Sequence, residues 1–131
     1  MSLLCNAYPM SKTVCVNTGE AKISKSNLVT SFVITCSVIA FKYNDLNFMA
    51  HVDAMNPNMT PIILEQLNKI NVEDVENVHV WRGSRCYDNC PSYSIISDIL
   101  KKFSKKCNII EHENDEDIIK IWNKYFLTQF S

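Results

Sequence analysis

The feature that most limits how this chain can fold is a run of strand-forming residues, LVTSFVITCSVIAFKYNDLNFMAHVDA, from Leu28 to Ala54. Residues 28–41 are almost continuously apolar, which predicts a strand that is buried on both faces or bent partway. Residues 42–45, KYND, interrupt this run, and residues 46–54 follow as a second strand. The whole stretch therefore predicts a β-hairpin.

The segments on either side of the hairpin predict helices that cover a sheet. In the stretch after Met59, Thr60 is the expected N-cap of a helix and Pro61 its first residue. The other expected elements are strands at 14–16, 76–81 and 107–112, a helix over 91–106 and an aromatic-striped helix over 114–130. This order predicts an α+β fold with a β-sheet core flanked by helices.

Size and composition narrow the functional class. The chain has 131 residues and is 47% hydrophobic, so residues 1–131 are expected to form a single domain that needs no disulfide or metal for stability. Thirteen basic residues face fourteen acidic ones and no basic stripe is present, which argues against a nucleic-acid partner. No signal peptide and no apolar run of about 18 residues is visible, so we expect a cytoplasmic chain without a membrane partner.

The six cysteines are expected to be free thiols, because disulfides are rare in intracellular proteins. Cys86 and Cys90 are separated by three residues, and only His79 lies near them in sequence. A structural zinc ion needs four ligands in tetrahedral reach, so this spacing favours a turn over a metal site.

The predicted hairpin makes Cys36 a candidate nucleophile. Alternation places His51 and Asp53 on one face of the second strand. If residues 42–45 form the loop, Cys36 lies directly opposite His51, at a Cβ separation of about 5 Å. If residues 44–47 form the loop, Ala40 faces His51 and Cys36 lies about 13 Å along the strand. In the first register the imidazole can take the thiol proton and generate the attacking thiolate.

Several short motifs resemble those of the CheD chemoreceptor glutamine deamidases: Gly19-Glu20, Thr30, Cys36, the run MAHV at 49–52, and Gly83-Ser84 before a helix. The segments ITCSVIAF, AHVDA and VHVWRGS are also similar to protein N-terminal asparagine amidohydrolase. The resemblance is strongest over residues 13–112. It implies a fold like CheD and the catalytic domain of cytotoxic necrotizing factor.

The resemblance implies roles for individual residues. Cys36 is the expected nucleophile, His51 the general base, and Thr30, six residues before the cysteine, the residue that assists the pair. Arg82, Gly83 and Ser84 are expected to contribute to substrate binding, with Arg82 standing where the family has glycine. No metal or organic cofactor is implied. From the residues alone, Asp53 is a surface acid or an orienting group for His51, and Glu20 is a residue that holds the turn after Gly19.

Three functions remain open from the sequence. The first is a deamidase that hydrolyses a glutamine or asparagine side chain of a protein substrate. The second is an amidase for N-terminal asparagine or a small molecule. The third is a catalytically inactive binding module on the same scaffold.

Overall fold

The computed structural model describes residues 13–30 and 33–112. The described strands are β1 (Thr13–Cys15), β2 (Ala21–Ser24), β3 (Asn27–Val29), β4 (Ser37–Tyr43), β5 (Leu46–Val52), β6 (Asn77–Arg82) and β7 (Asn108–His112). The described helices are α1 (Met59–Leu67) and α2 (Pro91–Leu100), with a 3-10 turn at Val72–Asp74. The expected α+β class is confirmed. The helix expected over 114–130 lies outside the described residues.

Five of these strands form one sheet in the order β2-β5-β4-β6-β7. All neighbours in it are antiparallel except β6 and β7, which run parallel. The strands β1 and β3 form a separate parallel pair. The hairpin of β4 and β5 therefore lies at the centre of the sheet, with strands on both sides.

The two faces of the central sheet bury different sets of residues. Alternate residues of the hairpin, including Ile39, Phe41 and Phe48, pack against the apolar sides of α1 and α2. The residues between them point to the other face, where Val38, Ala40 and Met49 pack against Trp81 and the β1–β3 pair. Both faces of the hairpin are buried. The single strand expected over residues 28–41 is wrong, because the start of this run lies in β3, which pairs with β1 outside the central sheet, and its end lies in β4, with Thr30 and residues 33–36 outside any strand.

The hairpin loop is shorter than either register in the sequence analysis assumed. Tyr43 pairs with Leu46, so only Asn44 and Asp45 form the turn, and Asn44 takes the left-handed conformation with φ 55°. Asparagine tolerates this conformation better than most residues, which permits a two-residue turn. As a result Val38, and neither Cys36 nor Ala40, lies opposite His51. A change of register by two residues leaves every side chain on its predicted face.

Two other expectations are also wrong. Helix α1 begins at Met59 with Asn58 as N-cap, two residues before the predicted cap, because Asn56 already accepts backbone hydrogen bonds from Asn58 and Met59. Cys86 and Cys90 are joined in a disulfide, and Cys15 is also disulfide-bonded, so they are not free thiols. The spacing of Cys86 and Cys90 suits a bridge because the intervening turn brings their Cα atoms to 5.2 Å.

Candidate active site

The backbone of His51 is fixed by the turn that precedes β2. His51 N–H donates to the Glu20 carbonyl at 3.0 Å, and Gly19 N–H donates to the His51 carbonyl at 2.9 Å. Gly19 has φ 82°, a conformation that glycine adopts without a steric penalty. The Glu20 carboxylate accepts from Asn17 N–H at 2.9 Å and so closes the same turn. Glu20 therefore supports the strand end that carries His51.

Thr30 connects the histidine to the backbone of Val16, the residue that follows β1. Its Oγ1 lies 2.6 Å from the Val16 carbonyl oxygen and 2.7 Å from Nδ1 of His51, and its side chain is buried. The hydroxyl has one proton to donate, and the carbonyl oxygen can only accept a hydrogen bond. Thr30 therefore donates to Val16 and accepts from His51, which puts the imidazole proton on Nδ1.

This tautomer leaves the lone pair of His51 on Nε2. The Nε2 atom is buried and has no hydrogen-bond partner among the described residues. Burial lowers the pKa of His51 from 6.5 to about 4, and the nearby Asp53 carboxylate opposes that shift. The imidazole is therefore neutral at pH 7, which is the form that a general base requires.

Cys36 lies one residue before β4, on the sheet face that also carries His51. Because Val38 is directly opposite His51, Cys36 is its diagonal neighbour, and such neighbours in a regular ladder lie roughly 7–8 Å apart. Its thiol is free and the residue is 8% exposed. Burial, followed by the Asp53 charge, raises the pKa of the thiol from 9.0 to about 11. With Nε2 unpartnered, the thiol and the imidazole are not hydrogen-bonded to each other.

Residues 33–36, here called the Cys36 loop, are held by the segment that follows β6. Gly83, Ser84 and Arg85 donate their backbone N–H groups to the carbonyl oxygens of residues 36, 33 and 34, at 2.9, 3.2 and 2.9 Å. A Cβ atom at Gly83 would collide with the carbonyl oxygens of Ile34 and Cys36. Glycine is therefore required at position 83 for this close approach of two backbones.

The other two residues expected to bind substrate have different surroundings. The Arg82 guanidinium lies 3.7 Å from the centre of the Tyr93 ring and donates to the Tyr87 carbonyl at 3.3 Å. Ser84 is exposed. Neither side chain lines the cleft that lies beside the Cys36 loop, to which Arg85 contributes instead. The structure thus brings Thr30 and His51 into contact, and sets Arg82 and Ser84 apart from the cleft.

A cleft of about 490 Å³ lies beside the Cys36 loop. Thr35 and Asp53 line it on the side of the sheet, and Met55 and Tyr87, which are 87% and 71% exposed, lie along it. The full lining is Thr35, Asp53, Ala54, Met55, Arg85, Tyr87, Asp88, Asn89, Cys90, Pro91 and Ser92. Cys36 and His51 do not line the cleft, and Thr35 and Asp53 are its residues nearest to them in sequence.

The sequence reasoning did not identify the polar cluster under the Cys36 loop. Ser37, at the start of β4, and Ser92, at the start of α2, are both fully buried and lie 3.0 Å apart between their hydroxyl oxygens. Ser92 donates to the Thr35 carbonyl at 2.9 Å. Pro91 signals a helix start, but no local pattern shows that the next residue contacts a loop 57 positions earlier.

The described part of the chain, residues 13–30 and 33–112, contains no group of three or more histidine, cysteine, aspartate or glutamate side chains that could hold a metal ion. It also contains no helix of the length and apolarity needed to cross a bilayer.

Comparison with models of known protein families finds no match to this chain, and comparison with curated proteins finds none either.

Proposed function

We propose that this chain is a cysteine-dependent amidohydrolase of CheD-like fold that deamidates a glutamine or asparagine side chain of a protein substrate. The observation that carries the proposal is the hydrogen-bond chain from Val16 through Thr30 to His51, which leaves the His51 Nε2 lone pair buried and unpartnered. A buried nitrogen without a partner is costly for stability alone. A general base that must take up a proton accounts for it.

The proposed reaction has two steps. His51 Nε2 takes the proton of the Cys36 thiol, and the sulfur attacks the carboxamide carbon to give a tetrahedral intermediate. The imidazolium returns the proton to the departing nitrogen, ammonia leaves, and a thioester remains on Cys36. His51 then takes a proton from water, the hydroxyl attacks the thioester, and the carboxylic acid and the free thiol are released.

The pKa values describe a site that is neutral until substrate binds. A thiol with a pKa of about 11 next to an imidazole with a pKa of about 4 does not form an ion pair at pH 7 in the free protein. The proton transfer is therefore proposed to occur together with attack on the bound amide. Catalytic hydrogen bonds that are absent from a free enzyme often form only in the substrate complex.

The cleft beside the Cys36 loop supports a protein substrate over a small molecule. Met55 and Tyr87 expose apolar surface along it, which a protein segment next to the target residue can cover. Thr35 connects the cleft to the Cys36 loop, so a carboxamide bound there approaches the nucleophile from this side.

The surroundings of Cys36 favour a second candidate, the inactive binding module. Cys36 is 8% exposed, its thiol pKa is raised, and it does not line the cleft. A structural thiol has the same properties.

The experiment is a mass measurement on three sets of amides: peptides with internal glutamine or asparagine, peptides with N-terminal asparagine, and the free amino acids. Deamidation adds about 1 Da to a peptide and releases ammonia. We expect the shift on internal residues with the native chain, none with Cys36→Ala, and an undiminished rate with Cys107→Ala, the matched change at the other free cysteine among the described residues. A shift confined to N-terminal asparagine or to free amino acids would replace the proposal with the small-substrate amidase. No shift on any set, with a folded protein, would favour the binding module.

A further inference from the structure

The Cys86–Cys90 disulfide contacts both residues that flank Cys36. Sγ of Cys86 lies 3.2 Å from the Ser37 hydroxyl, and Sγ of Cys90 lies 3.5 Å from the Thr35 carbonyl oxygen. Thr35 and Ser37 are the chain neighbours of the candidate nucleophile on either side. Each contacted residue is joined to Cys36 by one peptide bond. A displacement of either sulfur atom is therefore transmitted to the backbone of Cys36.

The disulfide belongs to a segment that holds every carbonyl of the Cys36 loop. Three backbone N–H groups of residues 83–85 and the Ser92 hydroxyl together occupy the carbonyl oxygens of residues 33, 34, 35 and 36. The bridge from Cys86 to Cys90 closes the turn between these two sets of donors. We call residues 83–92 the clamp segment.

The oxidation state of the two sulfur atoms determines where the serine protons go. A disulfide sulfur has no proton, so it can only accept. Ser92 donates to the Thr35 carbonyl, and Ser37 is left to donate to Ser92 Oγ or to Cys86 Sγ. Reduction adds two S–H donors. The Cys90 thiol can then compete with Ser92 for Thr35, and the Cys86 thiol can donate to Ser37.

Cys86 and Cys90 are 4% and 8% exposed, and the cleft is the side from which a reductant can approach their bridge. Cys90 and the three residues between the cysteines, Tyr87, Asp88 and Asn89, line the cleft. These three residues are exposed, and Asn89 has a left-handed backbone with φ 60°. Opening the bridge therefore frees one wall of the cleft as well as the support under the Cys36 loop.

We propose that the Cys86–Cys90 disulfide is a redox-sensitive device that positions Cys36. A dithiol reduces this disulfide, and the reduction loosens the Cys36 loop from the clamp segment. One thiolate of the dithiol attacks a sulfur of the bridge to form a mixed disulfide, and its second thiolate displaces the protein sulfur. Two electrons and two protons pass to Cys86 and Cys90, and the dithiol becomes a disulfide. The consequence for amide hydrolysis rests on the function proposed above, whereas the coupling between the bridge and the Cys36 loop does not.

The test compares the oxidised protein with protein reduced by dithiothreitol and freed of reductant under argon. Intact mass verifies the reduction, since each opened bridge adds about 2 Da. We expect amide hydrogen exchange of residues 83–85 to accelerate roughly two- to tenfold, the scale of one lost hydrogen bond, while exchange in the β4–β5 pairing stays unchanged. We also expect the iodoacetamide rate at Cys36, followed by peptide mass mapping, to change in the same samples.

Two variants separate this bridge from the disulfide of Cys15. The Cys15→Ser chain should keep the response to reduction, and the Cys86→Ser/Cys90→Ser chain should lose it. Should the double variant fail to fold, the proposal is still tested by comparing the oxidised and reduced native chain in the exchange of residues 83–85 and in the alkylation rate of Cys36. Unchanged exchange at residues 83–85 and an unchanged Cys36 rate, after verified reduction, would overturn the proposal, as would a response that disappears with Cys15→Ser.

Activity measurements distinguish the two proposals. With an amide substrate in hand, reduction should lower kcat more than it raises KM, because a displaced nucleophile affects the chemical step. An exchange response without hydrolysis in either redox state would remove the amidohydrolase and leave the redox device. Hydrolysis that is the same in both redox states would keep the enzyme and overturn the device.

Discussion

The two faces of the central sheet are both buried, but they are built from different chemistry. The face covered by α1 and α2 is mostly apolar, with Phe41 stacked on Phe48 and in edge contact with Phe103, and the buried hydroxyls of Ser37 and Ser92 lie at one end of it. The opposite face buries Thr30 and His51 among its apolar residues. Most of the first face is held by non-directional packing, whereas His51 on the second face is held by a particular hydrogen bond to Thr30. The main apolar core and the Thr30–His51 pair therefore lie on opposite sides of one hairpin.

The largest expected effect is on the helix-covered face. Phe41→Ala should lower the free energy of unfolding by about 3–5 kcal/mol, because it removes a fully buried ring and both of its aromatic contacts. Urea denaturation measures the loss, and Phe41→Leu is the control with a smaller change of volume. At pH 7 in the absence of urea, the iodoacetamide rate at Cys36 should not respond to Phe41→Leu. A loss below about 1 kcal/mol for Phe41→Ala would show that this face is not the main core.

The next effect is the response of the opposite face to acid. The folded-state pKa of His51 is lowered from 6.5 to about 4, so between these values the unfolded chain binds the proton more readily than the folded chain. Stability is therefore fully present above pH 6.5 and is lost as the pH falls toward 4. At about 1.4 kcal/mol per pH unit, His51 contributes on the order of 3 kcal/mol to that loss.

Urea titrations between pH 7 and pH 4 check this expectation, and His51→Gln should reduce the pH dependence. The pKa of His79 is also lowered to about 4, first by burial and then by the charge of His112, so part of the dependence should remain in the variant. An identical pH profile in the native chain and His51→Gln would contradict the buried neutral imidazole.

A smaller effect is expected from Thr30→Val. This change leaves the Val16 carbonyl and the His51 Nδ1 proton without their partner, which should cost about 1–3 kcal/mol of stability. If the amidohydrolase proposal holds, hydrolysis should also fall at least about tenfold, since the imidazole is no longer held in one tautomer. Thr30→Ser keeps the hydroxyl and should retain most of the stability and most of the hydrolysis rate. Equal behaviour of the valine and serine variants would remove the hydroxyl from the site.

The smallest effect on stability is expected from Asp53→Asn. The Asp53 charge is the second cause, after burial, of the raised pKa of the Cys36 thiol. Removing the charge should lower the midpoint of the pH profile of Cys36 alkylation from about 11. Burial should keep that midpoint above 9.0, the ordinary pKa of a thiol. Asparagine retains the oxygen that accepts from Met55 N–H, so stability should change by less than about 0.5 kcal/mol. An unchanged profile would show that Asp53 does not act on the thiol.

The sequence predicts which side chains share a face of the hairpin better than it predicts the register of the two strands. Alternation along β5 identifies which side chains share a face, because the period of two is a property of every strand. The register is harder to predict, because it depends on whether Asn44 adopts the left-handed backbone conformation. The error of two residues left His51 on its correct face and replaced Cys36 by Val38 as the residue opposite it.

The candidate site was only partly predictable. The resemblance to the CheD deamidases implied Thr30, but its second partner is the Val16 carbonyl, a backbone atom that no side-chain motif indicates. The disulfide of Cys86 was missed because the expected compartment argued for free thiols. The contact of Ser92 with the Cys36 loop depends on how α2 approaches β4, which is a matter of tertiary packing and not of local sequence.

The most direct test of the account is the tautomer of His51, because the proposed general base depends on it. Two-bond proton–nitrogen NMR correlations of the ¹⁵N-labelled chain at pH 7 assign which ring nitrogen carries the proton. We predict a neutral ring with the proton on Nδ1, donated to Thr30, and a bare Nε2, an arrangement that Thr30→Ser keeps and Thr30→Val loses. A proton on Nε2 in the native chain, or a charged ring at pH 7, would contradict the account.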